Sequence, residues 1–235
     1  MKSVKKILAE QNIEIEDAAL ETMERYMEEV LAKNENVNLT AITDRDEFIQ
    51  KHFIDSLLCA GCEEMTEAAR IVDIGTGAGF PGVPLAIVFP EKEFVLVDSL
   101  NKRVKIITEL CRELGIDNVK AVHGRAEELA RREDLRESFD ICVSRAVAGM
   151  RTLAEYCLPF VKCGGTFIAY KGPDCSAELE EAANAIETTG GGEVHLTSPI
   201  ITGVPFEHTL VFVRKERPTP KAYPRKSGTP AKKPL

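Results

Sequence analysis

Apolar residues recur along this chain with two different periods, and the change between them divides it. Val4, Ile7 and Leu8, then Ala19, Leu20, Met23, Tyr26, Met27, Val30 and Leu31, fall at helical spacing and predict packing faces of amphipathic helices. The run Asn34-Glu35-Asn36-Val37-Asn38-Leu39-Thr40 interrupts them, because asparagines favour turns and local backbone bonds. Asp44 suits the cap of a helix over residues 46 to 58, with Phe48, Ile49, Phe53, Ile54 and Leu57 inward. From residue 71 the pattern becomes short apolar runs: Ile71 to Ile74, Phe94 to Val97, Val119 to Val122, Phe139 to Val143 and Thr166 to Tyr170. Helices are expected over 85 to 89, 101 to 114 and 176 to 189, the second ended by Gly115. Gly190-Gly191-Gly192 breaks the chain, and Val194 to Leu196 with Thr209 to Val213 supply two last strands. Strands alternating with helices predict an α/β fold, a doubly wound Rossmann-like sheet of seven mostly parallel strands. The expected organisation is a helical extension over residues 1–65, a core over 66–214 and a basic, proline-rich tail over 215–235.

The densest signal is residues 71 to 82, Ile-Val-Asp-Ile-Gly-Thr-Gly-Ala-Gly-Phe-Pro-Gly. Gly75, Gly77 and Gly79 let the backbone turn sharply and approach a ligand closely, and Pro81 and Pro84 suit the first turn of a helix. A strand, a bare turn and a helix start form a cradle for a nucleoside-bearing cofactor. The dinucleotide fingerprint would require its third glycine at position 80, which is Phe80. Asp73, just before the loop, suits the sulfonium and ammonium of S-adenosylmethionine better than the anionic pyrophosphate of a nicotinamide cofactor. Asp98 closes the next strand, about 20 residues beyond Gly75, where an acid takes the ribose hydroxyls of an adenosine cofactor. Glu127, after the third strand, reads equally as an adenine-holding carboxylate and as an ordinary acid at a helix start.

Composition narrows the class. With 44% hydrophobic residues, 235 residues bury one α/β core and leave a remainder for the extension. No apolar run reaches the roughly 20 residues that span a bilayer, and Met1-Lys-Ser-Val-Lys-Lys6 is not followed by a signal core, so a cytoplasmic protein is expected. The cysteines read as reduced thiols; Cys59 and Cys62 form a lone C-x-x-C pair without partners for a metal site, and none is expected. Net charge is −8, yet residues 214 to 235 carry Arg214, Lys215, Arg217, Lys221, Arg225, Lys226, Lys232 and Lys233 against Glu216 alone. Such a tail suggests a polyanion partner, although a merely solvated terminus would look the same.

Other positions invite chemistry. His52 and Asp55 share a helical face, as a pair that orients a loop or substrate or as an ordinary semi-buried pair. Ser144-Arg145-Ala146-Val147 and Lys171-Gly172 follow strand ends, where ligand chemistry gathers in open α/β sheets. Enzymes that methylate exocyclic amines commonly carry an Asn/Asp-Pro-Pro-aromatic motif where Ser144 to Val147 stand, and its absence argues against adenine or cytosine amino groups as targets. Lys102, Arg103 and Lys105 place positive charge at a helix start.

Taken together, these residues resemble the bacterial small-subunit ribosomal RNA guanine-N7 methyltransferase family called RsmG or GidB. The resemblance runs through Asn38-Leu39-Thr40, His52 with Asp55-Ser56-Leu57, Asp73 to Gly82, Asp98-Ser99 with Lys102-Arg103, and Arg125-Ala126-Glu127. It continues through Ser144-Arg145-Ala146, Lys171-Gly172 and Tyr223-Pro224-Arg225, and so covers most of residues 36 to 226; Thr76 stands where many relatives have serine. It implies a class I S-adenosylmethionine-dependent sheet, a guanine N7 of small-subunit RNA as acceptor, and cofactor contacts at Gly75, Phe80, Ala126, Glu127 and Arg145. The expected site thus has Arg145 and Lys171 at the chemistry, and Asp73, Gly75, Gly77, Gly79, Phe80, Asp98, Ala126, Glu127 and Arg145 at the cofactor. Asn38, His52, Lys102, Arg103, Lys105, Tyr223, Arg225 and Lys226 are assigned to RNA. The expected partner is the RNA or the assembled 30S subunit, met by a monomer. A small-molecule methyltransferase and a non-catalytic ribosome-binding factor of the same fold are the alternatives.

Overall fold

The computed structural model describes residues 1–34, 37–199 and 208–235; Glu35 and Asn36 of the asparagine-rich break lie outside it. Two helices, α1 (Lys2–Glu10) and α2 (Asp17–Asn34), carry the apolar positions of the first stretch inward. The helix expected over 46 to 58 is divided. Asp44 accepts from the amide of Glu47 at 2.9 Å and caps α3 (Arg45–Phe48), but a wide π turn over Ile49–Ile54 and a 3-10 turn over Leu57–Cys59 follow. The π turn carries His52 and leads into Asp55, both bound to Arg145, and such bulges recur where side chains are re-aimed at functional sites. A short α4 (Glu63–Glu67), which the pattern did not suggest, leads into the sheet.

The sheet alternates with helices: β1 (Arg70–Ile74), α5 (Gly82–Val88), β2 (Glu93–Asp98), α6 (Asn101–Leu114), β3 (Val119–His123), α7 (Ala126–Leu129), β4 (Phe139–Arg145), α8 (Met150–Cys157), β5 (Val161–Lys171) and α9 (Ser176–Thr188). β6 (Gly191–Thr197) and β7 (Thr209–Lys215) close it. Among the described residues the strand order is β3-β2-β1-β4-β5-β7-β6, with β7 antiparallel to both neighbours and the remaining pairs parallel. Gly115 ends α6 in the left-handed conformation, as its position predicts.

Alternation along the strands sorts the core by sheet face. Ile71, Phe94, Leu96, Val143 and Phe212 join a cluster that includes Val4, Met27, Phe53 and Met65, so the N-terminal helices and one face of the sheet share a single apolar core. Val72, Ile74, Val95, Val97 and Phe167 turn to the other face, against α7, α8 and α9. Strands run from β1 outward in both directions, which opens a crevice at the carboxyl ends of β1 and β4.

The tail does not stand off as an appendage. Residues 219–235 lie back over the core, buried at Thr219, Pro224 and Pro230, and end in a short α10 (Thr229–Lys232). Arg136 donates to the carbonyls of Thr219 and Tyr223 at 2.8 and 3.0 Å, and Arg151 to that of Leu235 at 2.6 Å.

Candidate functional site

The glycine loop is braced from below and from both sides. Asp73 is fully buried, and its Oδ2 accepts from the Thr76 hydroxyl at 2.7 Å and the Gly82 amide at 2.9 Å. It therefore serves the loop's own shape first; its Oδ1 has no protein partner among the described residues. Burial pushes its carboxyl up to about 6, against the two hydrogen bonds that favour ionisation. From α2, the Tyr26 hydroxyl donates to the Ala78 carbonyl at 2.8 Å. The extension thus reaches the loop directly, a contact that no sequence signal marks.

The glycines divide by purpose. A Cβ on Gly79 would lie 2.4 Å from the Tyr26 hydroxyl, and one on Gly82 would lie 2.2 Å from Leu96 Cδ2, so both serve internal packing. Gly75 has φ +77°, and a Cβ there would meet Val147 Cγ2 at 2.3 Å. Val147 is brought over the loop by Ala146, which itself adopts a left-handed φ of 56° after β4. Gly77, at φ +61°, faces open space: a methyl group in place of its hydrogen would meet nothing within 4 Å.

Beside this loop lies a cleft of about 220 Å³, walled by Ile74 at the end of β1 and Gly75 after it, Val97 and Asp98 of β2 with Ser99 after it, Gly124 to Glu127 after β3, and Val147 with Tyr156. Its volume is below the roughly 300–1,000 Å³ of sites that enclose a whole drug-sized ligand, and it suits one end of such a molecule. Two buried carboxylates flank it. Asp98 accepts from the Gly77 amide at 3.0 Å and the Leu100 amide at 2.8 Å, and Glu127 accepts from the Gly228 amide at 2.8 Å. Ala126 lines the same wall. Tyr156 has no sequence signal to place it there, because a buried tyrosine on an apolar helix gives no sign of bordering a cleft.

Arg145 does not line this cleft. Its guanidinium turns toward the extension, bonded to Asp55 Oδ2 at 2.5 Å, the Lys51 carbonyl at 3.0 Å and His52 Nδ1 at 3.3 Å, and lies 5.8 Å from the Phe80 ring centre. The other oxygen of Asp55 is bonded to His208 Nδ1, a pairing that sequence distance conceals. Phe80 is buried among Tyr26, Phe48, His52 and Phe53. The shared face of His52 and Asp55 is therefore real, and what it holds is Arg145. Lys171 is likewise engaged: its Nζ donates to Glu178 at 2.6 Å, and the same carboxylate oxygen receives the Met150 amide at 2.7 Å.

The positions assigned to RNA separate into two groups. Asn38, Lys102, Lys105 and Lys226 are exposed, while Arg103 is half-buried with Nη1 3.7 Å from Asp98. Arg225 forms a two-pronged ion pair with Glu155, a fully buried carboxylate on α8, and Tyr223 is half-buried with its carbonyl held by Arg136. His52 is wedged between Phe80 and Thr40, whose hydroxyl lies 2.7 Å from Nε2. Cys59 and Cys62 are free thiols, the first 3.0 Å from the Tyr170 hydroxyl.

The strand order, the switch-point crevice and the glycine loop flanked by strand-end acids define a class I S-adenosylmethionine-dependent methyltransferase. Solved structures agree on the fold. Cofactor-bound Rv0187 from MTB superposes with a TM-score of 0.56 at 16% identity, over 82% of this chain and 91% of that one. The S-adenosylmethionine-dependent methyltransferase SibL gives 0.53 at 16% identity, over 69% of this chain and 55% of that one. Within that class, the pattern of the family described as GidB, rRNA small subunit methyltransferase G, matches residues 19–201, and the chain belongs to that family. Ribosomal RNA small subunit methyltransferase G of Clostridium perfringens strain 13 is 50% identical over 202 residues, 86% of this chain and 84% of its own length. The Moorella thermoacetica protein of the same name is 49% identical over 213 residues, 91% and 89% of the two chains.

Proposed function

We propose that this protein transfers a methyl group from S-adenosylmethionine to N7 of a guanine in small-subunit ribosomal RNA. The observation that carries the cofactor half is the cleft lined by both Asp98 and Glu127, with Gly77, whose amide Asp98 holds and whose missing side chain leaves space open, beside it. Asp98 is placed to accept from ribose hydroxyls, each oxygen keeping a lone pair beyond its backbone bond, and Glu127 from the adenine amine. Asp73 holds the loop, and its buried Oδ1, which has no hydrogen-bond partner among the described residues, adds negative charge beneath it that favours a cationic ammonium or sulfonium. Bound there, S-adenosylmethionine supplies an electrophilic methyl group on a sulfonium.

Guanine N7 has an in-plane lone pair and no proton to lose, so in-line displacement needs no general base and the protein's task is alignment. Arg145 and Lys171, both tied into ion pairs, are fitted to holding the elements around the loop in place rather than to moving protons. A guanidinium placed against N7 would oppose the charge forming on the base, whereas one held by Asp55 beside Phe80 leaves the face of the loop to the acceptor. In A-form RNA the N7 edge lies in a deep, narrow groove, so the target guanine is taken from a loop or extruded. Exposed Lys102, Lys105 and Lys226 would hold the surrounding phosphates. On this reading the reaction takes place in the cytoplasm, where small-subunit RNA is made and assembled, on RNA or the 30S particle, and the enzyme works as a monomer.

The test is to map N7-methylguanine in small-subunit RNA from cells with and without this protein. One methylated guanine should disappear with the protein and return with the wild-type chain. An unchanged RNA despite measurable cofactor binding would instead favour a non-catalytic ribosome-binding factor.

A further inference from the structure

Residues 219–235 form a strap whose contacts converge on the cofactor cleft from behind. Arg225 grips Glu155 with Nε at 2.9 Å from Oε1 and Nη2 at 2.6 Å from Oε2, and the Arg225 amide adds a bond to Oε1 at 2.6 Å. Glu155 precedes Tyr156, a wall of the cleft. Three residues on, the Gly228 amide donates to Oε1 of Glu127 at 2.8 Å, and Glu127, only 2% exposed, lines the same cleft. Gly228 reaches this position at φ +81°, where a glycine is favoured.

A carboxylate so far removed from water needs partners to stay charged and oriented. Glu127 has Gly228 on one oxygen, while Arg125 Nε stands 3.7 Å from the other, beyond a direct hydrogen bond. With one lone pair of Oε1 taken by the strap and the carboxylate plane thereby set, Oε2 and the second lone pair of Oε1 stay open to a ligand.

We propose that the strap is part of the cofactor site: Arg225 clamps it to α8, and Gly228 orients Glu127 to accept the amine of an adenine. Gly228 and Arg225 are thus positioning residues. The proposal rests on the cofactor reading above. A segment whose composition suggests only a polyanion contact then has two sides, one turned to the cleft and the other carrying exposed Lys221, Lys226, Lys232 and Lys233.

The experiment is a double-mutant cycle on binding of S-adenosylhomocysteine, measured by calorimetry with thermal melts in parallel. The four chains are the full protein, a truncation that removes 227–235, Glu127→Ala, and the two changes combined. Truncation and E127A should each raise Kd roughly tenfold, as expected for one hydrogen bond to a charged group, and truncation should add nothing once Glu127 is gone. An unchanged Kd on truncation, or the same factor with and without Glu127, would overturn the proposal, since a purely structural strap acts equally in both backgrounds. Should the truncated chain fail to fold, E155Q/R225Q loosens the strap without leaving a buried unpaired charge and takes its place in the cycle. A full chain that does not bind the probe overturns the cofactor reading itself; a chain that binds it indifferently to the strap overturns only this inference.

Discussion

The imidazole of His52 lies flat on the ring of Phe80, with centroids 4.4 Å apart and planes 7° from parallel. One belongs to the helical extension and the other to the glycine loop, so the stack fastens the two together. Burial, and then the charge of Arg145, lower the His52 pKa to about 4, which keeps the ring neutral at physiological pH.

Replacing Arg145 by glutamine should raise the His52 pKa toward its ordinary value, because the lowering charge is lost while Asp55 remains; imidazole NMR titration reads this. The stability this histidine contributes is full above about 6.5 and is lost as pH falls through about 4. H52Q should flatten that part of the stability curve.

Asp73 behaves in the opposite sense. Its folded pKa, about 6, lies above the ordinary 3.8, so its contribution is fully present below 3.8 and is lost as pH rises through about 6. Asp73→Asn should remove a pH-dependent loss on the order of 1–3 kcal/mol, measured by denaturant unfolding across that window. If the ionised carboxylate attracts the cofactor's positive end, affinity in the wild type should weaken as pH drops below about 6, and D73N should show no such trend.

Gly77→Ala and Gly82→Ala should fail differently. A methyl on Gly82 meets Leu96 at 2.2 Å and should cost about 1–3 kcal/mol of stability through overpacking. Alanine at position 77 meets nothing within 4 Å and carries only the strain of φ +61°, about 1 kcal/mol, but fills the space kept for the ligand. Melting temperature paired with cofactor Kd separates them: a G77A protein that binds normally would remove Gly77 from the site.

Asp98→Ala should weaken cofactor binding at least tenfold, since it removes both the acceptor for ribose and the group that orders the Gly77 amide. Binding of the RNA by itself should change little in a filter assay. Equal losses of both ligands would mean that the loop had collapsed.

Charge removal at Lys102, Lys105 and Lys226 should lower RNA affinity across sequences and flatten its dependence on salt, with the log–log slope falling by about 1 for each phosphate no longer neutralised. An unchanged slope would place the RNA on another face.

Much of the architecture was legible because it is local. Parallel strands buried on both faces must be apolar runs, and the glycine loop with Asp73 and Asp98 must occupy one stretch, since a strand, its turn and the next strand end are sequence neighbours in such a sheet. The split of the helix after Phe48 was not legible: residues 46 to 58 have sound helical spacing, and the π turn answers to Arg145, far along the chain. Val147 over Gly75 and Tyr26 on Ala78 were hidden for the same reason.

Local pattern was enough for the sheet, its alternation with helices, the glycine loop and its acids, because periodicity and glycine's freedom at positive φ act within a few residues of each other. What the charged groups do depends on which partners folding brings to them. A guanidinium or ammonium looks equally ready for phosphate or carboxylate in one dimension; burial requires that it find a counter-charge, and the fold supplied Asp55 for Arg145, Glu178 for Lys171 and Glu155 for Arg225. The basic tail thereby became a strap against the cofactor cleft, a role that depends on carboxylates brought within hydrogen-bonding reach only by folding.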